Sequence, residues 1–336
     1  MFLKLLQKKN NIREFEKNTI MNKLFFIKNP DLFQGEKYLN SNKNYFEGWY
    51  FKNTTNKDSI AFIPGININD VQRNAFVQII TNCSSYYITY DINEFKYNIE
   101  PFEIQIGKNY FSKERIHVDI EDNKQKVKVY GDIKYSNCKN INTSILNPNI
   151  MGPFAYVPFM ECNHAILSMK NEINGLLNFN DTKISFNNDI GYIEKDWGYS
   201  FPKSYIWCQG NRFQNANASF MISIADIPFK FLSFTGIICD LIIDDKEFRF
   251  ATYNNTKLIK CNIDNNLLDI SLKKDNYKLN IKSSYNTGLR LSAPVKGKME
   301  KDVFENIDSI ITIVLEKNNE TIFGDTSTKC GIEIVK

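Results

Sequence analysis

The chain has 336 residues and a mass of 39.2 kDa, more than one ordinary core needs, so two domains or one large β domain are expected. Hydrophobic residues make up 43% of it and charged residues 24%, with 26 Phe and 17 Tyr, which excludes a wholly disordered chain. Its +4 charge is spread over 42 basic and 38 acidic residues without a long basic run, so no nucleic-acid partner is expected; with two histidines, His117 and His164, a metal site of three imidazoles is impossible.

The first segment, Met1 to Lys17, opens on Phe2, Leu5 and Leu6, which can share a helical face. Its apolar run is too short for a signal h-region, and no small-residue cleavage site follows. Residues 1–28 are therefore expected to be a helical or disordered extension of a cytoplasmic protein. It is suited to touching a membrane surface rather than crossing it, because no run of about 18 apolar residues exists. The seven cysteines form no C-x-x-C pair and are odd in number, which points to a reducing compartment and to thiols that act as small buried hydrophobes.

From Tyr45 onward, short apolar or alternating runs separated by Asn, Asp, Gly and Lys read as strands. The first half predicts strands at Glu47–Lys52, Ile60–Ile63, Ala75–Ile80, Tyr86–Tyr90, Phe102–Ile106, Arg115–Ile120 and Gln125–Tyr130, with His117 on the polar face of its strand. Ser144 to Cys162 carries three prolines but also Phe154, Tyr156, Phe159 and Met160, and reads as a long ordered connection. Strands then resume at His164–Lys170, Gly175–Phe179, Lys183–Phe186, Tyr205–Gln209, Ser219–Ala225 and Leu232–Ile243, and continue to Gly331–Val335. A helix is expected only at the N-terminus and over Lys301–Asp308. So many short strands suit an all-β chain of two consecutive antiparallel barrels, 29–182 and 183–336, because closure removes exposed edges. A barrel lumen of ligand size lined by rings competes here with two solidly filled cores.

Three motifs stand out from this scaffold. In YFEGWYFK (Tyr45 to Lys52), Trp49 either plugs a barrel end, with Gly48 allowing close approach, or joins Tyr50 in facing a ligand. Glu47, among so many rings, must be partnered or carry a raised pKa. In MGPFAYVPFMECNH (Met151 to His164), Glu161 and Asn163 would face one way, and Cys162 and His164 the other. In GYIEKDWGYSFPKSYIWCQGN (Gly191 to Asn211), Tyr192, Glu194 and Asp196 alternate onto one face, with Trp197 just beyond. Two acids and a phenol on one face can handle protons, and Trp207, Gln209 and Asn211 repeat the alternation with groups costly on an ordinary surface.

Together, in this order and spacing, the three motifs resemble the tocopherol cyclase family from about Asn29 to the C-terminus, and through it the carotenoid hydratase and lipocalin-like group. The resemblance implies two lipocalin-like barrels with a site between or near them. It also implies cofactor-free, metal-free closure of a chromanol ring on a prenylated benzoquinol, a hydrophobic small-molecule substrate. In the hydratase relatives a His at a strand start and a Tyr-x-acid pair about thirty residues later handle protons, an arrangement that His164, Tyr192 and Glu194 match.

Such a reaction needs a carboxylic acid that stays protonated near neutral pH, which burial favours. Glu194 is the expected acid, with Asp196 as a like charge beside it and His164 as acceptor or relay of the phenol proton. Trp49, Tyr50, Trp197 and Trp207 would offer π faces to the developing cation, and Glu47, Glu161, Asn163, Gln209 and Asn211 would complete the substrate contacts. The competing readings are a carrier of an isoprenoid or lipid and a hydratase or cyclase of another polyene. Only an enzyme requires Glu194 and His164 to be buried together beside a cavity.

Overall fold

Period-two alternation punctuated by Asn, Asp and Gly folds into antiparallel strands joined by tight turns, and strands make up 67% of the computed structural model. It describes residues 23–336 apart from Phe159, Lys230 and Phe231, so the segment expected to be an amphipathic helix lies outside the described residues. Eleven strands form the first sheet: β1 (Tyr45–Thr54), β2 (Ser59–Ile68), β3 (Arg73–Thr81), β4 (Ser85–Asp91), β5 (Phe95–Asn98), β6 (Glu103–Ile106), β7 (Asn109–Ser112), β8 (Arg115–Asp122), β9 (Val127–Lys139), β10 (Cys162–Phe179) and β11 (Thr182–Gly198). They run in the order β4-β3-β2-β1-β11-β10-β9-β8-β7-β6-β5 and curl into a near-closed barrel.

Ten more form the second: β12 (Tyr205–Gly210), β13 (Ala218–Phe229), β14 (Leu232–Ile243), β15 (Lys246–Ala251), β16 (Lys257–Asp264), β17 (Leu267–Lys274), β18 (Tyr277–Ser284), β19 (Leu289–Val295), β20 (Lys298–Lys317) and β21 (Glu320–Val335). Their order is β15-β14-β13-β12-β21-β20-β18-β17-β16, with β19 paired to β20. Asparagine makes the tightest turns: Asn265 and Asn266 (φ 45° and 63°) join β16 to β17, and Asn318 and Asn319 (φ 54° and 68°) join β20 to β21. Two successive positive φ values give the turn whose twist matches a hairpin, and asparagine tolerates them better than most residues.

Two expectations change. The chain leaves the first sheet after Gly198, not at 182/183, because β11 is clamped between β1 and β10: Glu194 lies opposite Tyr50 on one side and Ile166 on the other. Lys301–Asp308 is strand rather than helix; Val303, Glu305 and Ile307 are buried while Asp302, Phe304 and Asp308 are exposed, a period of two that its charged composition masks.

Each unit has its own core. Trp49, Phe51, Phe62, Ile66, Val77, Phe111, Val129 and Ile193 help fill the first, and Phe220, Ile222, Leu241, Phe250, Ile281 and Ile313 the second. A third cluster lies between them, where Tyr50, Ile166, Met169 and Tyr192 from the first barrel meet Trp207, Met221, Ile242, Leu291 and Val303 from the second. Polar bonds seal this interface: the Gln78 amide donates to Ser292 O at 3.0 Å and accepts from Ser292 N at 2.8 Å. The connection from β9 to β10 is ordered, as expected; Phe154 stacks on Phe234 at 5.9 Å, and Tyr253 donates to Ile150 O at 2.9 Å.

Candidate active site

On β1, Tyr45, Glu47, Trp49 and Phe51 point into the first barrel, while Phe46, Gly48, Tyr50 and Lys52 point toward the second. On β11, Ile193, Lys195 and Trp197 go inward and Tyr192, Glu194 and Asp196 outward, so the three alternating residues do share a face. On β10, Cys162, His164 and Ile166 face outward beside them, and register places His164 directly across from Asp196. These outward faces and the facing strands of the second barrel line an open-mouthed cavity of about 200 Å³. It therefore lies between the barrels. The first lumen is a packed core, so of the two readings left open, a ring-lined lumen or a filled core, the filled core holds there.

Its polar wall is built from side chains that satisfy one another. The Tyr192 hydroxyl donates to Glu194 Oε2 at 2.6 Å and the Trp207 indole N–H to the same oxygen at 3.1 Å, leaving Oε1 without a partner among the described residues. His164 Nδ1 lies 2.9 Å from Asp196 Oδ1, and Nε2 lies 3.6 Å from Glu194 Oε2. Burial raises the Glu194 pKa to about 7; the His164 charge and the two donors oppose that rise, and Asp196 adds to it. Burial works against a charged His164, but the Asp196 and Glu194 carboxylates outweigh it and hold the imidazole pKa at about 9. Among the described residues this is the one grouping with a metal-type donor set, with ligand atoms within 4.8 Å of one another. An imidazole bonded to Asp196 through Nδ1 would have to give up its Nε2 proton to serve as a ligand.

The remaining lining is largely apolar and aromatic, from Phe46, Phe76, Phe154, Phe201, Phe234 and Leu291. The profile of the tocopherol cyclase-like family matches residues 146–335, more than half of the chain and two of its three motifs. The chain belongs to that family. No curated protein sequence matches it. Two solved structures share the fold: kievitone hydratase from Nectria haematococca, with 13% identity, a TM-score of 0.50 and coverage of 88% of this chain and 89% of the other; and an AttH protein from Nitrosomonas europaea, with 11% identity, a TM-score of 0.51 and coverage of 90% and 96%.

Not every residue singled out in this tocopherol cyclase-like sequence reaches the cavity. Glu47 is wholly buried in the first barrel, 2.5 Å from Lys195 Nζ, accepting from Tyr45 O–H at 2.6 Å and from Gln34 N at 2.9 Å. Trp49 lies inside the same barrel with its N–H on Asp31 O, and Lys195 Nζ sits 4.8 Å from the rings of both Trp49 and Trp197. These residues pack within the first barrel's core. Gly48 does not serve close approach, since a Cβ there would meet nothing nearer than 3.7 Å, whereas at Gly65 it would lie 2.5 Å from Glu47 O.

Glu161 and Asn163 also lie off the cavity, with Asn163 donating to Trp197 O at 3.2 Å. Gln209 and Asn211 stitch the barrels together: Gln209 Oε1 accepts from Lys52 Nζ at 3.0 Å, and Asn211 donates to Gly191 O at 2.9 Å. Three acidic or phenolic residues of the second barrel line the cavity without having been singled out: Glu305 and Glu333, which lie outside the motifs, and Tyr205, which lies within the third. Tyr50 donates to Glu305 Oε1 at 2.5 Å, and Tyr205 donates to Glu333 Oε1. The period-two burial of Val303, Glu305 and Ile307 is the signal that could have marked Glu305.

Proposed function

We propose that this protein transfers a proton to a carbon–carbon double bond of an apolar substrate held between the barrels, driving ring closure by a phenol oxygen. Addition of water in place of the phenol is the close variant, because only the capturing nucleophile differs. Neither reaction moves electrons between molecules, so neither needs a redox cofactor. The observation that carries the reading is Glu194: a buried carboxyl, still protonated in the neutral range, with one oxygen free beside an apolar cavity. Membership of the tocopherol cyclase-like family supports it, and a structural neighbour named a hydratase is consistent with the variant.

Roles follow from position. Glu194 Oε1 delivers the proton, while Tyr192 and Trp207 fix the other oxygen. Tyr50 and Trp207, rings 5.5 Å apart and both lining the cavity, offer π faces to the cation; Trp49 and Trp197 face into the first barrel and do not. His164 is already cationic at neutral pH, so it is poorly suited to accept the phenol proton and well placed to return a proton to Glu194. Burial of Glu194 and His164 within 3.6 Å of each other beside a cavity favours catalysis over carriage.

Incubating the protein with a phytylated hydroquinone tests the reading, with a chromanol of unchanged mass and shifted retention as the expected product. Glu194→Gln keeps the shape and removes the proton, so turnover is expected to fall by about 10²–10⁴-fold with hydroquinone binding retained. Undiminished turnover in that variant would remove Glu194 from its role, and binding without any product would favour a carrier.

A further inference from the structure

Glu194 accounts for the proton that enters the alkene but not for the proton that leaves the nucleophile. Of the acceptors nearby, His164 already carries both ring protons at neutral pH, and Asp196 is tied through Oδ1 to that imidazole. Across the cavity stands a second carboxyl with the same construction. Glu305, on β20, takes the Tyr50 O–H on Oε1 and leaves Oε2 without a partner among the described residues, on a residue that lines the cavity. The Tyr50 ring packs edge-on against Trp207 at 5.5 Å and against Tyr192 at 6.4 Å, so the Tyr50–Glu305 and Tyr192–Glu194 pairs are one ring apart. A single aromatic nucleophile beside Glu194 therefore falls within reach of both.

From this juxtaposition we infer that Glu305 is a second catalytic carboxyl, the base that takes the nucleophile's proton while Glu194 gives its own to the alkene. This rests on the acid-catalysed reading above. The balance is complete. The O–H bond of Glu194 breaks and a C–H bond forms at the less substituted alkene carbon; the nucleophile's O–H bond breaks as its oxygen bonds the tertiary carbon, and that proton goes to Glu305 Oε2. Glu194 ends ionised and Glu305 protonated. His164 refills Glu194 and is itself refilled from solvent at the cavity mouth, where Glu305 also releases its proton.

The surroundings of Glu305 permit the ionised form a base needs. Glu305 is faced by Tyr50 and Lys52 from β1, by Glu333 opposite it on β21 and, beyond Tyr50, by Glu194 from β11; its partner on β19 is Leu289. Lys52, although 1% exposed, is the cation of this wall and favours the ionised carboxylate at Glu305. Burial, with the neighbouring acids Asp196 and Glu194 adding to it, pushes Glu333 up to about 8, so it stays largely protonated at neutral pH. Burial places Glu305 at about 7, so an ionised population exists at neutral pH.

Turnover then requires one carboxyl protonated and the other ionised, and kcat/KM for the phytylated hydroquinone should be a bell in pH centred near neutrality. Glu305→Gln should lower kcat/KM by about 10²-fold or more and abolish the rising acid limb, leaving only the decline as Glu194 ionises. Glu305→Asp, which keeps a carboxylate, should recover part of the rate together with the acid limb. An acid limb that survives in Glu305→Gln, or an Asp variant no better than the Gln variant, overturns the inference. Failure here with Glu194→Gln still inactive leaves the acid-catalysed reading standing; activity in Glu194→Gln removes both.

Discussion

Three of the four carboxyls on the cavity wall are paired with phenols, Tyr192 with Glu194, Tyr50 with Glu305 and Tyr205 with Glu333, while the fourth, Asp196, is paired with His164. A phenol donor stabilises the carboxylate without cancelling its charge, so burial still prevails and all three acids titrate within reach of neutral pH. His164 depends on its neighbouring carboxylates in the opposite sense, Asp196 foremost. Without Asp196, burial would dominate, and Asp196→Asn is expected to lower the His164 pKa from about 9 by about 1–3 pH units. NMR titration of the two imidazoles measures this directly, with His117 on a different strand as internal reference; an unmoved His164 would mean that Asp196 does not set its charge. The shared face of Tyr192, Glu194 and Asp196 was legible because alternation needs only a strand. Which face of YFEGWYFK turns inward was not, because both are buried and no polar face distinguishes them, and Trp49 was accordingly assigned to the cavity as well as to the barrel.

At the scale of elements, the β1–β11 seam serves two purposes with its two faces. Outward it carries the proton-handling groups; inward it carries a charge pair, Glu47 with Lys195, both 0% exposed, capped by Pro30 O and Leu32 O and flanked by Trp49 and Trp197. Burying both ions is costly, and removing one partner leaves the other without compensation. Glu47→Gln or Lys195→Met should each destabilise the chain by ~3–5 kcal/mol, and the double variant by less than the sum, in denaturant unfolding. Additive losses would show that the pair is not coupled. The strand that supplies Glu305 was hidden for a related reason: Lys301, Asp302, Glu305 and Asp308 look like a solvated helix, and only the second barrel's packing reveals one of those charges as buried.

At the scale of the whole molecule, the two barrels repeat one topology. In each, four consecutive strands run outward from the first strand, and the last strand returns beside the first, β11 next to β1 and β21 next to β12. The repeated strand texture was readable from the sequence; the transfer of β11 to the first barrel was not, since it depends on pairing between residues more than a hundred positions apart. The buried acids also set how stability depends on pH. Glu194, Glu305 and Glu333 rise from 4.5 to about 7, 7 and 8, and Asp240, deeply buried beside Arg249, from 3.8 to about 8. A carboxyl that binds its proton more tightly when folded contributes fully below its unfolded pKa, and that contribution is lost as pH rises through the folded value. His164, raised from 6.5 to about 9, acts in the same sense, while Lys52, lowered from 10.5 to about 8, acts oppositely only above pH 8. The thermal midpoint is therefore expected to be lower at pH 8 than at pH 5.5, and a midpoint that climbs over that interval would contradict this ordering.

The cavity's walls are the outer surfaces of two cores that are filled on their own. Its width is thus set by how one barrel is seated on the other. A slight tilt at the interface resizes the aperture with every interior side chain left in place, so the same pair of folds can be retuned to substrates of different girth without repacking either one.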